Sequence, residues 1–186
     1  MAWNLDSTHS SIQFAVKHMV ISTVRGSFAE FAVDAAVDET DFARSRATVR
    51  IAAASLGTGN NDRDAHLRSG DFFDAENHPE LVFVTRAIEP RGGDDYRISG
   101  DLTIRGVTRP VTLDGEIQGP VKDPWGGTRF GLSASGKISR KEFGLDWNAV
   151  LEAGGLLVGD EVKLSIETEL VKAATSELAT PELATA

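Results

Sequence analysis

An acidic stretch with two histidines is the part of the chain whose side chains are best suited to chemistry. It reads NNDRDAHLRSGDFFDAENHPE, residues 60–80, and surrounds His66 and His78 with carboxylates. Carboxylate oxygens and imidazole nitrogens bind zinc or calcium, and both groups serve as general acids and bases. The stretch is therefore compatible with a metal site, an acid–base centre or a purely structural segment.

The spacing within this stretch favours the structural segment. The two histidines are twelve positions apart, no HExxH motif occurs, and the ligand spacing of a calcium loop is missing. A short helix suits the residues better, with Asp62 as its N-cap, Leu67 facing the interior and Gly70 ending it. We therefore predict a helical segment without a metal, in which Phe72 and Phe73 plug or line one end of the fold.

Patterns for nucleophilic catalysis or nucleotide binding are weak. Asp6, Ser10 and His18 form a nearby Ser/His/Asp trio, but no nucleophile-elbow context surrounds the serine. The glycine pairs follow no strand-to-helix pattern, so no nucleotide-binding loop is predicted. The chain has no cysteine, which excludes thiol catalysis, disulfides and Cys-ligated metals. We predict neither catalytic residues nor a cofactor.

Composition and charge set further limits on function. The 186 residues are 41% hydrophobic and 25% charged, as expected of a soluble globular protein. A net charge of −9 argues against nucleic acid or an anionic membrane as an electrostatic partner. The opening MAWNLDSTHS lacks the basic region and apolar run of a secretory signal, and no apolar run reaches the length of a membrane span. A cytoplasmic location is therefore expected.

Short alternating segments, which predict an all-β fold, must position these residues. Ile12, Phe14, Val16 and His18 share one face of the first such segment, whereas residues 81–88 are apolar on both faces and leave their orientation open. We predict an eight-stranded antiparallel lipocalin-like barrel that can hold one small ligand, with a filled sandwich as the alternative. The predicted strands lie within residues 9–18, 27–38, 47–55, 81–88, 96–104, 111–117, 129–138 and 161–170.

Two connections between the predicted strands are too long for hairpins. Residues 57–79 and 140–158 carry large apolar side chains, so we expect both to fold back over apolar surface. The last residues, 173–186, nearly repeat ELAT and contain no aromatic side chain. We therefore predict one barrel domain over residues 1–172 and a disordered C-terminal tail over residues 173–186.

Four sequence motifs, in order along the chain, resemble those of the YceI family. They are DSTHSSIQFAVKHM with RGSF, RDAHLRSGDFFDAENHPELVF, GDLTIRGVTRPVTL, and ISRKEFGLDWN followed by GDEVKLSIETEL, and they span roughly residues 3–172. The resemblance implies a lipocalin-like barrel that binds a long apolar chain, such as a polyisoprenoid or an isoprenoid quinone. Many family members are exported, a property that carries over poorly to a chain without a recognisable signal peptide.

The predicted ligand-binding residues combine inward-facing strand residues with aromatic residues of the two long connections. His18 could donate a hydrogen bond to a ligand oxygen, although a histidine bonded to backbone at a strand end is slightly favoured. Trp147 is expected to close the barrel, to form a flat wall for the ligand, or both. The predicted set is Ile12, Phe14, Val16, His18, Phe31, Phe72, Phe73, Leu102, Ile104, Phe130, Leu132, Phe143 and Trp147.

Four basic residues flank the long connections. Arg63, Arg68, Arg140 and Lys141 could contact a polar head group at the mouth of the barrel. Because many acidic residues lie nearby in the sequence, we expect instead that these side chains pair with acids or stay solvated.

The function predicted from these observations is binding of a hydrophobic isoprenoid-type ligand, by sequestration or carriage, with no role for nucleic acid. Two alternatives from other classes remain. One is an enzyme that acts on a small amphiphile held in the same cavity, and the other is a filled barrel that serves as an interaction module. The edges of an imperfectly closed barrel could also pair in a homodimer.

Overall fold

The strands of the molecule form one antiparallel sheet that curls into a barrel. The computed structural model of the chain describes residues 3–152 and 154–172, and eleven strands within them join one sheet. The strands are β1 Trp3–Leu5, β2 Ser11–His18, β3 Ser22–Phe28, β4 Phe31–Ala36, β5 Arg46–Ala52, β6 Leu56–Gly57, β7 Glu80–Gly92, β8 Asp95–Ile104, β9 Val107–Lys122, β10 Thr128–Ser139 and β11 Val158–Lys172. Their order is β4, β5, β7, β8, β9, β10, β11, β2, β3 and β6, with β1 paired to β11.

Helical segments are short and lie between the strands. The α-helix α1 covers Asn61–Arg68, and four 3-10 turns lie at Ser7–His9, Phe42–Arg44, Ala53–Ser55 and Arg140–Phe143. In the part of the chain that the structure describes, no helix is long and apolar enough to cross a membrane. The tail predicted over residues 173–186 lies outside the described residues.

A shared bend in two strand pairs brings the ends of the sheet together. At the end of β3, Phe28 pairs with Leu56 in β6. Just beyond it, Phe31 at the start of β4 pairs with Ile51 in β5. The 3-10 turn Ala53–Ser55 takes up the extra residues on one side of the corner, in the manner of a bulge.

Backbone hydrogen bonds continue the pairing through this bend. The amide of Ala29 donates to the carbonyl of Ser55 at 3.1 Å, and the amide of Ala52 donates to the carbonyl of Glu30 at 3.0 Å. The β3–β4 segment therefore acts as one bent strand and the β5–β6 segment as its bent partner. Such corners allow a sheet to turn back on itself and enclose a volume.

The predicted all-β antiparallel barrel with one short helix is confirmed, but the strand boundaries need correction. With the two bent segments each counted once, the sheet has the predicted eight long strands, and the short β1 is additional. The strand predicted over residues 27–38 is wrong because it crosses the bend. The separate strand Ser22–Phe28 was missed because Gly26 occupies a buried position on it and contributes no side chain to the apolar alternation.

A bulge in β7 explains why residues 81–88 are apolar on both faces. Leu81, Phe83 and Thr85 point into the barrel, and the pairing register with β8 then shifts between Thr85 and Ala87. After the shift, Ile88 points inward instead of residue 87. An irregularity of one residue reverses which positions face the core, so simple alternation fails across it.

The helix α1 begins earlier than predicted. Its N-cap is Asn60, whose side-chain oxygen accepts the amide of Arg63 at 2.9 Å, so the prediction of Asp62 is wrong. Asn60 has the extended backbone that a cap requires, whereas Asp62 already lies inside the first turn. The helix ends with Ser69 as its C-cap, one residue before the predicted Gly70.

Two aromatic rings on the inner face lie over glycines. A Cβ atom on Gly26 would stand 2.4 Å from Cζ of Phe14, and one on Gly100 would stand 2.3 Å from Cζ of Phe83. On Gly100 the same atom would also stand 2.5 Å from the carbonyl oxygen of Val84, which belongs to the backbone and yields little. The absence of a side chain at these glycines makes room for both rings.

We expect Gly100→Ala to lower the free energy of unfolding by about 1–3 kcal/mol, because the added methyl group overpacks a ring and a backbone carbonyl. Gly57→Ala is the matched control, since a Cβ there meets nothing within 4 Å. Urea denaturation of both variants and the wild type measures the difference. Equal stability of the two variants would contradict the packing described here.

Candidate functional site

A cavity of about 260 Å³ lies inside the barrel. The inward faces of the long strands form its wall, together with parts of the two long connections, and most of the lining side chains are aliphatic or aromatic. A hollow of this kind in an eight-stranded barrel can hold one small apolar ligand. It also argues against the filled sandwich. The polar residues of the wall are Gln13, Ser45, Arg46, Thr85, Arg140 and Thr168.

Most residues predicted to bind ligand are brought together on this wall. They come from β2, β8 and β10 and from the connections on either side of the barrel mouth. Their direct contact with a ligand stays a prediction. The predicted residues on the wall are Ile12, Phe14, Val16, Phe72, Phe73, Leu102, Ile104, Phe130, Leu132 and Phe143.

His18 and Phe31 lie away from the cavity wall. His18 is the last residue of β2 and is half-buried, and its carbonyl accepts the hydroxyl of Ser22 at 3.1 Å. This position agrees with a strand-end histidine. Phe31 begins β4 just after the bend, opposite Ile51, and packs partly buried against the apolar core. Strand parity predicted both residues on the inward face, but neither is among the residues that line the cavity.

Trp147 is not part of the cavity wall and packs behind it. Its ring is half-buried and lies 5.4 Å from the ring of Phe72, which itself lines the cavity. The ring of His66 packs edge-on against Trp147 at 4.6 Å, and its Nε2 lies 2.8 Å from a carboxylate oxygen of Asp71. The two long connections therefore meet in one aromatic cluster at the end of the barrel.

The cavity wall includes residues beyond the predicted set. Val33, Leu113 and Leu164, which lie on β4, β9 and β11, also line the cavity. No sequence signal marked Phe42, which lies between strands and stacks on Phe130 with ring centroids 5.2 Å apart. Phe42 lies in a short turn, and only the packing of the whole barrel brings it to the cavity.

Arg140 is a buried cation at the cavity wall. Its side chain is almost fully buried, at 5% exposure, and donates to the backbone carbonyls of four residues: to Gly159 and Trp147 at 2.9 Å, to Val158 at 3.3 Å, and to Leu145. Burial lowers the pKa of this guanidinium, while the negative charges of Asp160 and Asp146 act in the opposite direction. The expectation of a solvated or acid-paired surface side chain is therefore wrong for Arg140.

Arg63 and Arg68 also bind backbone instead of acidic partners. Arg63 donates through Nε to the hydroxyl of Thr58 at 2.7 Å and through Nη2 to its carbonyl at 3.0 Å. Arg68 donates to the carbonyls of Ala54 at 2.8 Å and of Leu56. Both side chains fasten α1 to the corner of the barrel, because irregular backbone there leaves carbonyls that need donors.

The acidic stretch contributes no cluster of three metal ligands among the described residues. A different group, Asp6, His9 and Glu169, brings three ligand atoms within 4.8 Å of one another. The guanidinium of Arg129 already lies there, with Nη1 2.8 Å from Asp6 and in contact with Glu169. Its Nε lies 2.7 Å from Asp123. The positive charge that these carboxylates attract is therefore supplied by the protein.

Comparisons with known proteins agree along nearly the whole chain. A family model described as a YceI-like domain matches residues 3–170. A UPF0312 protein of Staphylococcus epidermidis is 40% identical over 168 residues, which cover 90% of this chain and 95% of the relative. The crystal structure of Burkholderia cenocepacia BcnA matches with a TM-score of 0.78 at 25% identity, covering 89% of this chain and 99% of BcnA. A polyisoprenoid binding domain from Saccharophagus degradans matches with a TM-score of 0.67 at 16% identity, covering 91% of this chain and 98% of that domain.

The Arg129 cluster generates a prediction about acid stability. Hydrogen bonds from His9 and Arg129 lower the pKa of Asp6, and a hydrogen bond from Arg129 lowers that of Asp123. A carboxyl group whose pKa is lower in the folded than in the unfolded state stabilises the fold at pH values above its unfolded-state pKa, which is about 3.9. This stabilisation is lost as the pH falls toward the folded-state pKa. Arg129→Gln should therefore lower the melting temperature more at neutral pH than at pH 2.5.

The control for this experiment is Arg44→Gln, because Arg44 forms an exposed ion pair with Asp41. Exposed pairs contribute little, so this variant should match the wild type at both pH values. Thermal melts at the two pH values give the comparison. A penalty for Arg129→Gln that is the same at both would contradict the assignment of the lowered carboxylate pKa values to this cation.

The same geometry predicts no response to metal. Treatment with a chelator, followed by added zinc or calcium, should leave the melting temperature unchanged, because Arg129 occupies the position between the ligand atoms. A drop of several degrees on chelation that either metal reverses would show a metal site.

Proposed function

The chain belongs to the YceI family, and on that premise we propose that its barrel binds one long apolar amphiphile, a polyisoprenoid or an isoprenoid quinone. The observation that carries the proposal is the cavity of about 260 Å³, with a wall made almost entirely of hydrocarbon side chains. The protein would remove the ligand from water by sequestration or carriage.

The affinity in this proposal comes from apolar burial. Each methylene group transferred from water to an apolar wall contributes roughly 0.8 kcal/mol, or about 25 cal/mol per Å² of buried surface. A branched isoprenoid chain offers many such groups, and the wall presents matching branched residues such as Ile12, Val16 and Ile104. Chain length should therefore affect affinity more than any single hydrogen bond.

The ligand class rests on the chemistry of the cavity and on the family. The Saccharophagus degradans domain is described as polyisoprenoid binding, and its 16% identity carries the fold alone to this chain. An apolar wall with a few polar groups suits a ligand that is mostly hydrocarbon and has one polar end.

Binding is favoured over catalysis by the polar residues of the wall. They are serine, threonine, glutamine and arginine, and among the residues that the structure describes the wall includes no histidine, carboxylate or lysine that could serve as a general acid or base. A catalytic site needs several convergent titratable groups. The enzyme alternative therefore has no residue in the wall to assign to proton transfer. The cytoplasmic location and the homodimer stay predictions.

Extraction of freshly purified protein with organic solvent, followed by mass spectrometry, should identify a co-purifying isoprenoid. Phe14→Trp should reduce the amount of lipid retained while the melting temperature stays near that of the wild type. The larger ring enters space that the ligand would otherwise occupy, because Phe14 is half-buried and lines the cavity.

Lys17→Trp is the matched control, since it adds the same ring at an exposed position of the same strand. It should change neither lipid content nor stability. Unchanged lipid content in Phe14→Trp would mean that this residue does not face the ligand. A loss of about 1–3 kcal/mol of stability would instead mean that the barrel is filled by its own side chains.

A further inference from the structure

We propose that Arg140 binds a hydrogen-bond-accepting oxygen in the head group of the ligand and thereby sets the direction in which the ligand lies in the barrel. This inference rests on the proposed function, because it concerns the same cavity. It adds a specificity residue and an orientation that apolar burial alone does not provide.

Arg140 has one hydrogen-bond donor more than its backbone partners use. An arginine side chain has five N–H groups. Arg140 uses four of them on backbone carbonyls, with one bond from Nε, two from Nη1 and one from Nη2. One N–H of Nη2 is therefore left for another acceptor. Arg140 is among the residues that line the cavity, and the proposal places a ligand oxygen on this remaining N–H.

Arg140 takes part in none of the ion pairs found among the described residues. The nearby carboxylate of Asp160 accepts hydrogen bonds from Ser139 at 2.7 Å and from the amide of Lys141 at 3.2 Å. The guanidinium is thus held by neutral carbonyl groups, while Asp160 and Asp146 act on it without a direct ion pair. Its remaining N–H is therefore a charged donor for an electronegative ligand atom in a weakly screening interior.

A second arginine, Arg46, also lines the cavity wall. Arg46 is exposed and donates to the carbonyls of Ala43 and Ser45. Arg46 lies close after the 3-10 turn that contains Phe42. The ring of Phe42 stacks on Phe130, and Phe130 pairs with Leu170 near the end of β11.

The two arginines therefore mark opposite ends of the cavity. Arg140 donates to Val158, the first residue of β11. Leu170 lies twelve residues further along this strand, which is roughly 40 Å of extended chain. A head group at Arg140 places the hydrocarbon chain toward Phe42 and Phe130. A head group at Arg46 would reverse this direction.

Binding of two matched probes tests the inference. Geranylgeranylacetone carries one ketone oxygen, and the corresponding hydrocarbon lacks it. The delipidated wild type should bind both and should prefer the ketone by about tenfold, as expected for one hydrogen bond to a charged donor. In Arg140→Met this preference should disappear while the hydrocarbon still binds. In Arg46→Met the preference should persist.

A measurement on the wild type covers the case in which Arg140→Met does not fold. In protein labelled with ¹⁵N-arginine, the guanidinium resonances of Arg140 should shift on addition of the ketone and stay unchanged with the hydrocarbon. Arg46 should respond to neither probe. Arg140→Lys, which keeps a charged donor, supports the assignment of the resonances.

The outcomes separate this inference from the proposed function. If neither probe binds the wild type, the proposed function fails. If both probes bind equally and Arg140 shows no specific response to the ketone, only the role of Arg140 is overturned. If Arg46→Met removes the ketone preference and Arg140→Met does not, the ligand lies in the reverse direction and the inference is wrong.

Discussion

The structure depends on one constraint: a single sheet closes around a volume that its own side chains do not fill. Eight long strands curve far enough to leave a hollow between opposite walls. The bend shared by β3–β4 and β5–β6 makes this closure possible, because hydrogen bonds from Ala29 and Ala52 continue the pairing through the corner. Every inward position then faces the same interior. The inward side chains form a continuous apolar wall, and no single residue needs to fill the space inside.

The ends of the barrel pose a different problem, since irregular backbone must be buried there. Arg140 addresses it at one end by donating to carbonyls of the connection that carries Leu145 and Trp147. Arg68 does the same for the corner below α1. These cations satisfy backbone acceptors that no strand can pair. Arg140 also places a positive charge at the edge of a hydrocarbon cavity. One side chain therefore both supports the loop and is positioned to recognise a polar ligand group.

Among the described residues, the acidic side chains and the histidines lie outside the cavity wall, whose charged members are Arg46 and Arg140. Asp6, Asp123 and Glu169 surround Arg129 on the exterior of the barrel, and Asp64 accepts hydrogen bonds from Thr58 to anchor α1. The acidic stretch that first suggested chemistry is therefore used for local structure. The interior depends on shape and apolar area, which suits binding of a hydrocarbon chain.

The sequence by itself determined the all-β class, the family and the inward faces of the regular strands. Alternation at Ile12, Phe14 and Val16, or at Leu102 and Ile104, depends only on the pleat of a strand, which is a local property. The tertiary structure alone decided the bend after Phe28, the bulge beyond Thr85, the placement of Phe42 against Phe130 and the burial of Arg140. Each of these depends on contacts between segments far apart in the chain. The energy of a corner, a bulge or a buried cation is set by the partners that folding brings to it, and short-range patterns carry no information about those partners.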